Sequence, residues 1–266
     1  MELQAQEGRL IAAAGLGRIL VATAVSVERD AVAAGLGMSS LGPDDAVLGA
    51  VGRAHPFRPS GTTAHGGDGR SLEVIAAGVG PALAAASTAS ALTAAALRGT
   101  PYGLVVSAGI GGGFQPEAPV GSLVVADEIV AADLGAETED GFLPVTELGF
   151  GTVRHEPPAG LVRRVAESAG ARAGAVLTVS TVTGTAVRAA ALRERHPTAL
   201  AEAMEGFGVA EAAAAQGVPV LEIRAISNPV GPRDRAAWRI GDALAALTEG
   251  FGKLAPVLES WNRHDS

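Results

Sequence analysis

The sequence predicts an α/β fold in which helices cover both faces of a central sheet, and three observations carry that expectation. Short apolar runs of strand length alternate with longer Ala- and Leu-rich runs of helical length. Hydrophobic residues make up 48% of the chain but aromatics only 3%, so the core must be built from Ala, Val, Leu and Ile. Those side chains suit helices laid on a mostly parallel sheet buried on both faces. Gly-rich turns also follow two of the strand-like runs. At 266 residues the chain is within the range of one such domain with a sizeable core.

Arg18 to Val25 reads as the first strand, with residues 1–17 an N-terminal extension and 18–266 the domain. Met38 to Arg70 is rich in Gly, Pro and Ser and reads as a surface excursion or hairpin insertion. Leu72 to Ala77, Leu104 to Ser107 and Leu123 to Val130 are further strands, each bounded by Gly, Pro or charge. Pro81 to Leu97 is a helix: proline stands in its first turn, and no breaker follows until Gly99-Thr100-Pro101. Later strands are expected at Val176–Val182 and Val218–Ile226. Later helices are expected at Thr185–Arg195, Ala203–Gln216 and Arg235–Leu258, the last weakened by Gly241, Gly250 and Gly252. No internal repeat is present.

Several chemistries are excluded or disfavoured by composition. With no cysteine there is no disulfide, thiolate nucleophile or Cys-ligated metal. Lys253 is the only lysine and lies near the C-terminus, which disfavours P-loop and pyridoxal-phosphate chemistry. A net charge of −8 without a basic stripe argues against nucleic acid as a partner. Glu2 and Glu7 precede a short apolar run, the wrong charge order for a secretory signal, and no run is long enough to span a membrane, so a cytoplasmic location is expected. The five histidines show no metal-ligand spacing, no G-x-S-x-G elbow occurs, and neither Gly-rich turn is a clean G-x-G-x-x-G. Neither a metal nor a cofactor is expected.

Polar groups at element ends are the candidate functional residues. Met204-Glu205 opens an Ala-rich helix, Asn228 ends an apolar strand, and Glu28 follows the first strand. Each has a plainer reading. Glu28 fits a first-turn helix acid, Glu205 a surface helix position beside Glu202 and Glu211, Met204 a core residue, and Asn228 before Pro229 a turn. Gly78-Val79-Gly80-Pro81 is either an anion-binding turn at a helix start or a tight turn needing positive φ. Ser107-Ala108-Gly109-Ile110-Gly111-Gly112-Gly113-Phe114 would let a ligand approach the backbone closely at a strand end.

Taken in order, Ala24 to Glu28, Gly78 to Gly80, Ser107 to Phe114, Met204-Glu205 and Arg224 to Ser227 resemble the purine nucleoside phosphorylase and nucleosidase superfamily. Within it the chain is similar to the hydrolases of methylthioadenosine-like nucleosides. The likeness of Arg224-Ala225-Ile226-Ser227-Asn228-Pro229-Val230-Gly231, with Arg233-Asp234 and Trp238, is greatest to the branch that hydrolyses futalosine in the alternative menaquinone pathway.

The resemblance implies a phosphorylase-like three-layer α/β/α domain with a mixed sheet, and loss of a purine through an oxocarbenium-like sugar. By the same resemblance Glu28 orients or deprotonates water, Glu205 holds the ribose hydroxyls, and Met204 packs on the sugar. The backbone of Ser107, Ala108 and Gly109 lies near the sugar, and Gly78 belongs to a family turn. Val187 falls near the position where methylthioadenosine enzymes stack a phenylalanine.

Asn228 departs from the aspartate with which those enzymes protonate adenine. An amide matches the O6 acceptor and N1–H donor of hypoxanthine, so a 6-oxopurine is favoured. Glu28 stands where phosphorylases bind phosphate and repels that anion, which favours water as nucleophile, although the adjacent Arg29 keeps phosphorolysis open. A methylthioadenosine-type nucleosidase and a catalytically silent nucleoside sensor are the other readings. Retention of both Glu28 and Glu205 speaks against the sensor. Family members are usually oligomers, so at least a homodimer is expected. Futalosine carries a carboxyphenyl ketone at the 5′ position, for which Arg154, Arg188 and Arg233 are candidate partners.

Overall fold

The computed structural model describes residues 18–38, 61–65, 71–139 and 141–261. Strand β1 (Ile19–Thr23) is buried throughout, and its side chains alternate between two apolar clusters: Ile19 and Val21 face one, Leu20 and Ala22 the other. Burial on both faces is why this run shows no polar alternation. Helix α1 (Ser26–Gly35) follows, then β2 (Gly61–His65), β3 (Ser71–Ala76), α2 (Pro81–Leu97), β4 (Leu104–Gly113) and β5 (Leu123–Ala131). A small hairpin of β6 (Gly135–Thr138) and β7 (Gly141–Pro144) stands off the main sheet. The chain continues with β8 (Arg154–His155), α3 (Ala159–Ala169), β9 (Arg172–Thr178), α4 (Ala186–Arg195) and β10 (Ala199–Ala203). It closes with α5 (Gly206–Ala214), β11 (Val220–Pro229), a 3-10 turn at Arg235–Ala237 and α6 (Ile240–Ser260).

The main sheet runs β10-β9-β5-β11-β4-β1-β3-β2, with β8 on β5. It is mixed. β1 is parallel to β3 and β4, and β11 to β4, whereas β5 is antiparallel to β11 and β2 to β3. The far edge folds back, because β10 also pairs antiparallel with the end of β4, setting Glu202 opposite Gly112. Helices α1, α3 and α6 cover one face through Val32, Leu161, Val165, Leu247, Phe251 and Leu254. Helices α2 and α5 cover the other through Ala84, Leu92, Val209 and Ala210. This is the expected three-layer α/β/α domain. Each fully buried Leu or Phe contributes about 1.5–3 kcal/mol by leaving water.

Several elements differ from the sequence expectation. The helix expected from Ala203 starts only at Gly206, because Ala199–Ala203 is strand β10, in which all five residues are buried. Ala-Leu-Ala-Glu-Ala has no β-branched residue, so pairing with β9 and β4 overrides its helical preference. The strand expected at Val176–Val182 instead spans Arg172–Thr178, in parallel register with β5. The α1 and α3 helices and the short β6, β7 and β8 strands were not anticipated as elements. Of the Met38–Arg70 excursion, residues 61–65 form the edge strand β2, while 39–60 and 66–70 lie outside the described residues, as does the 1–17 extension. Gly250 weakens α6 as an isolated helix but brings it close to the sheet: an added Cβ would stand 2.6 Å from Leu123 Cδ1. Among the described residues no helix is long and apolar enough to cross a membrane.

Candidate active site

Glu28 is the N3 residue of α1 and is buried. Its Oε2 accepts the backbone N–H groups of Ala24 (3.0 Å) and Val25 (3.2 Å), so the helix start itself fixes the carboxylate. Oε1 reaches across to strand β4 and accepts Ile110 N–H at 2.9 Å. Burial pushes the Glu28 carboxyl above its ordinary 4.5; the Ile110 bond and the Arg224 charge pull the other way, and the Glu205 charge adds to the rise. The result is a fixed carboxylate with raised proton affinity, suited to accept a proton. Its neighbour Arg29 pairs with Asp30 at 2.8 Å.

Strand parity brings the second group. Along β11, Leu221, Ile223 and Ala225 face the α1/α3/α6 layer, so Glu222 and Arg224 project toward α2 and α5. Arg224 is the largest fully buried side chain described. Its Nη1 pairs with Glu205 Oε2 at 3.3 Å, its Nη2 donates to Ser107 Oγ at 3.1 Å, and its Nε donates to Glu222 Oε1 at 2.8 Å. Glu205, at the N-cap of α5, also accepts Gly80 N–H through Oε1 at 3.2 Å. Gly109 is where these groups converge: a Cβ there would lie 2.7 Å from Glu28 Oε1 and 2.8 Å from Arg224 Nη1. One guanidinium thus stands among Glu28, Glu205 and Glu222. Carboxylates so placed can stabilise positive charge that develops on a group bound beside them.

A third group lies at the end of β4. Gly112 has Asn228 opposite it on β11 and Glu202 opposite it on β10. Asn228 is partly exposed; its Oδ1 accepts Ser227 Oγ–H at 2.8 Å and its Nδ2 donates to Pro229 O at 3.0 Å. Glu202 is buried and holds the loop after β9, accepting Thr183 N–H at 2.8 Å and the Thr183 hydroxyl. Burial raises its proton affinity too. The neighbouring Gly184 carbonyl accepts Arg233 N–H at 3.2 Å, and Ser227 O accepts Arg239 N–H at 2.8 Å. The segment between β11 and α6 therefore arches over the end of β11.

The other sequence-selected residues fall as follows. Gly78 and Gly80 both have positive φ (98° and 86°), which L side chains avoid, so the turn into α2 needs glycine. Ser107 is fully buried and serves Arg224, Ala108 packs in the core, and Met204 is partly buried beside Glu205. Val187 is 83% exposed in the first turn of α4. Phe207, in the first turn of α5, is buried with its ring centroid 5.2 Å from that of His155. Arg154 is engaged with Glu128 on the β5–β8 side. Among the described residues no cluster of His, Asp and Glu has the arrangement to hold a metal ion.

In the sequence Arg224 stands within a motif without a role of its own, and Glu222 is not among the candidates. A charged pair at positions i and i+2 inside an otherwise apolar strand was the available signal, since both side chains of such a pair fall on one face.

Comparison with known proteins agrees with this geometry. Residues 45–258 match the Phosphorylase superfamily model. The chain is 72% identical to a futalosine hydrolase of Streptomyces coelicolor over 93% of this chain and 99% of that one. It is 43% identical to the futalosine hydrolase of Acidothermus cellulolyticus over 88% of this chain and 89% of that one. In fold it resembles the 5′-methylthioadenosine/S-adenosylhomocysteine nucleosidase of Neisseria meningitidis, with a TM-score of 0.70 at 18% identity over 92% of this chain and 100% of that one. By family match and by identity along nearly its whole length, the chain belongs to the phosphorylase superfamily and, within it, to the futalosine hydrolases.

Proposed function

We propose that the protein hydrolyses the N-glycosidic bond of futalosine, releasing hypoxanthine and dehypoxanthine futalosine, as a step of the futalosine route to menaquinone. The observation that carries the hydrolytic reading is the buried Glu28 carboxylate, held by three backbone N–H groups beside Arg224 and raised in proton affinity. Water attacks C1′ as the C–N bond breaks. Glu28 takes the proton from that water, the bonding electrons leave with the purine, the leaving base takes a proton from solvent, and Glu28 returns its proton to solvent to close the cycle. Glu205 accepts the ribose hydroxyls while Met204 packs on the sugar, and the turn at Gly78 with the Ser107–Gly109 backbone frames that end of the site. Asn228 meets the N7/O6 edge of the base, and Val187 borders it.

The 5′ carboxyphenyl group calls for a cation and an aromatic surface, and the segment before α6 offers both. The Arg233 guanidinium lies 5.2 Å from the Trp238 ring centroid and that of Arg235 6.0 Å, and neither arginine has an ion-pair partner among the described residues. Arg233 is therefore favoured over Arg154, which Glu128 already holds. A homodimer is part of this reading, supported by Val25, Val27, Val79 and Leu83, which are exposed at or just after the two turns that the Gly78 N–H to Ala24 O bond joins. A cytoplasmic location is part of the same reading.

The test is to incubate the purified protein with futalosine, aminofutalosine, inosine and methylthioadenosine and to identify the released base by chromatography. Hypoxanthine from futalosine, at a rate well above that for the other three, is expected. Preferential adenine release from aminofutalosine or methylthioadenosine would overturn the assignment.

A further inference from the structure

Glu222 is the one member of the carboxylate cluster for which the proposed reaction has no use. It is fully buried at 0% exposure in the middle of β11. Its Oε1 accepts Arg224 Nε–H at 2.8 Å, and its Oε2 has no hydrogen-bond partner among the described residues. A buried carboxylate is costly unless its bonds are made, and the hydrogen bond that Glu222 makes is to Arg224. The space it occupies is also made to measure. A Cβ on Gly206, the residue directly after Glu205, would overlap both Glu222 carboxylate oxygens. The glycine at the first position of α5 is thus the opening through which Glu222 fits beneath the Glu205 N-cap.

We propose that Glu222 is a positioning residue for the hydrolytic reaction, holding the Nε edge of Arg224 so that its two terminal nitrogens are aimed at Glu205 and Ser107, and that Gly206 is glycine in order to admit it. The guanidinium is planar, so fixing Nε fixes the directions of both Nη groups. Nη1 then meets Glu205 Oε2 and approaches Ile110 O, while Nη2 meets Ser107 Oγ, which ties α5, β4 and β11 into one rigid frame. Without Glu222 the guanidinium is free to rotate about its last bonds toward Glu205 and Glu28, the other carboxyl groups facing it. Glu205 would lose its fixed direction, and Glu28 would gain a closer positive charge. The inference rests on the reading of Glu205 and Glu28 as the groups that act on the nucleoside.

Four variants test it, each compared with the wild-type protein on whichever nucleoside the wild type hydrolyses best. Failure of the futalosine assignment is therefore seen separately, in the wild type. Glu222→Gln keeps an oxygen acceptor for Arg224 Nε, and its kcat is expected within about threefold of wild type. Glu222→Val removes the acceptor, and a roughly 10- to 100-fold fall in kcat is expected, the size that follows from small misplacement of catalytic groups. Its acid limb in the pH–kcat/KM profile should also move to lower pH as Arg224 shifts toward Glu28. Gly206→Ala pushes the Glu222 carboxylate aside and is expected to reproduce the loss. The Gly206→Ala/Glu222→Val double variant fills the vacated space with the new methyl and is expected to recover thermal stability without recovering kcat.

Wild-type kcat in Glu222→Val, or recovery of both stability and kcat in the double variant, would show that Glu222 only fills space and would overturn the proposal. So would a loss in Glu222→Gln as large as that in Glu222→Val, because the acceptor would then not be what matters.

Discussion

At the level of single residues, the proposed reaction divides its chemistry between Glu28 and Asn228. Burial raises the Glu28 proton affinity, so the ionised base forms only as the pH rises through that elevated value. The kcat/KM profile should accordingly show an acid limb above pH 4.5, and Glu28→Gln should abolish the limb while lowering kcat about 10²- to 10⁴-fold. For folding, the native state holds this proton more tightly than the unfolded chain does. The stability Glu28 contributes is present below pH 4.5 and is lost as the pH rises through its native value. Asn228→Asp replaces an amide by a group able to protonate a leaving adenine. Measured as the kcat/KM ratio of futalosine to aminofutalosine, specificity should fall by an amount equivalent to about 1–3 kcal/mol; an unchanged ratio would remove Asn228 from base recognition. Both positions can be picked out as candidates in the sequence because each stands at the end of an apolar run within a recognisable string. Glu222 was not, since its meaning depends on Gly206, sixteen positions away in sequence and in contact only once β11 passes beneath the start of α5.

Among the elements, β11 carries the most. Its odd-numbered residues Leu221, Ile223 and Ala225 anchor it to the α6 layer, and its even-numbered Glu222 and Arg224 serve the opposite face. The expected Val218–Ile226 run captured the strand, whose position between β4 and β5 no local pattern could reveal. Strand β10 was missed for a related reason. Alanines are compatible with helix or strand, and pairing with β9 and β4 decides the outcome. Arg224→Met should destabilise the protein by about 3–5 kcal/mol in urea denaturation, because it leaves Glu205 and Glu222 buried without their partner. A change below 1 kcal/mol would mean that the cluster holds a compensating proton in the variant. In the segment before α6, the Arg233→Ala/Arg235→Ala pair is expected to raise KM for futalosine several-fold with kcat for inosine unchanged, since inosine lacks the 5′ carboxylate. An equal effect on both nucleosides would place the 5′ group elsewhere.

For the whole molecule, the α/β alternation and the Ala-, Val- and Leu-rich composition were enough to expect helices on both faces of a sheet. The mixed strand directions and the return of β10 onto β4 came from tertiary pairing alone. The fold gathers carboxylates from α1, the α5 N-cap and β11 around a single arginine, and the proposed mechanism uses that arrangement to repel phosphate and to receive a cationic sugar. Light scattering should give a solution mass about twice the 26.4 kDa of the chain; a monomer would leave the exposed valines and leucine beside the site without their proposed cover. The central claim is that a carboxylate-activated water, and not phosphate, cleaves the glycosidic bond. It is tested most directly by the rate of hypoxanthine release from futalosine in phosphate-free buffer and after phosphate is added. An undiminished rate without phosphate is the expected result, whereas release only on adding phosphate would contradict it.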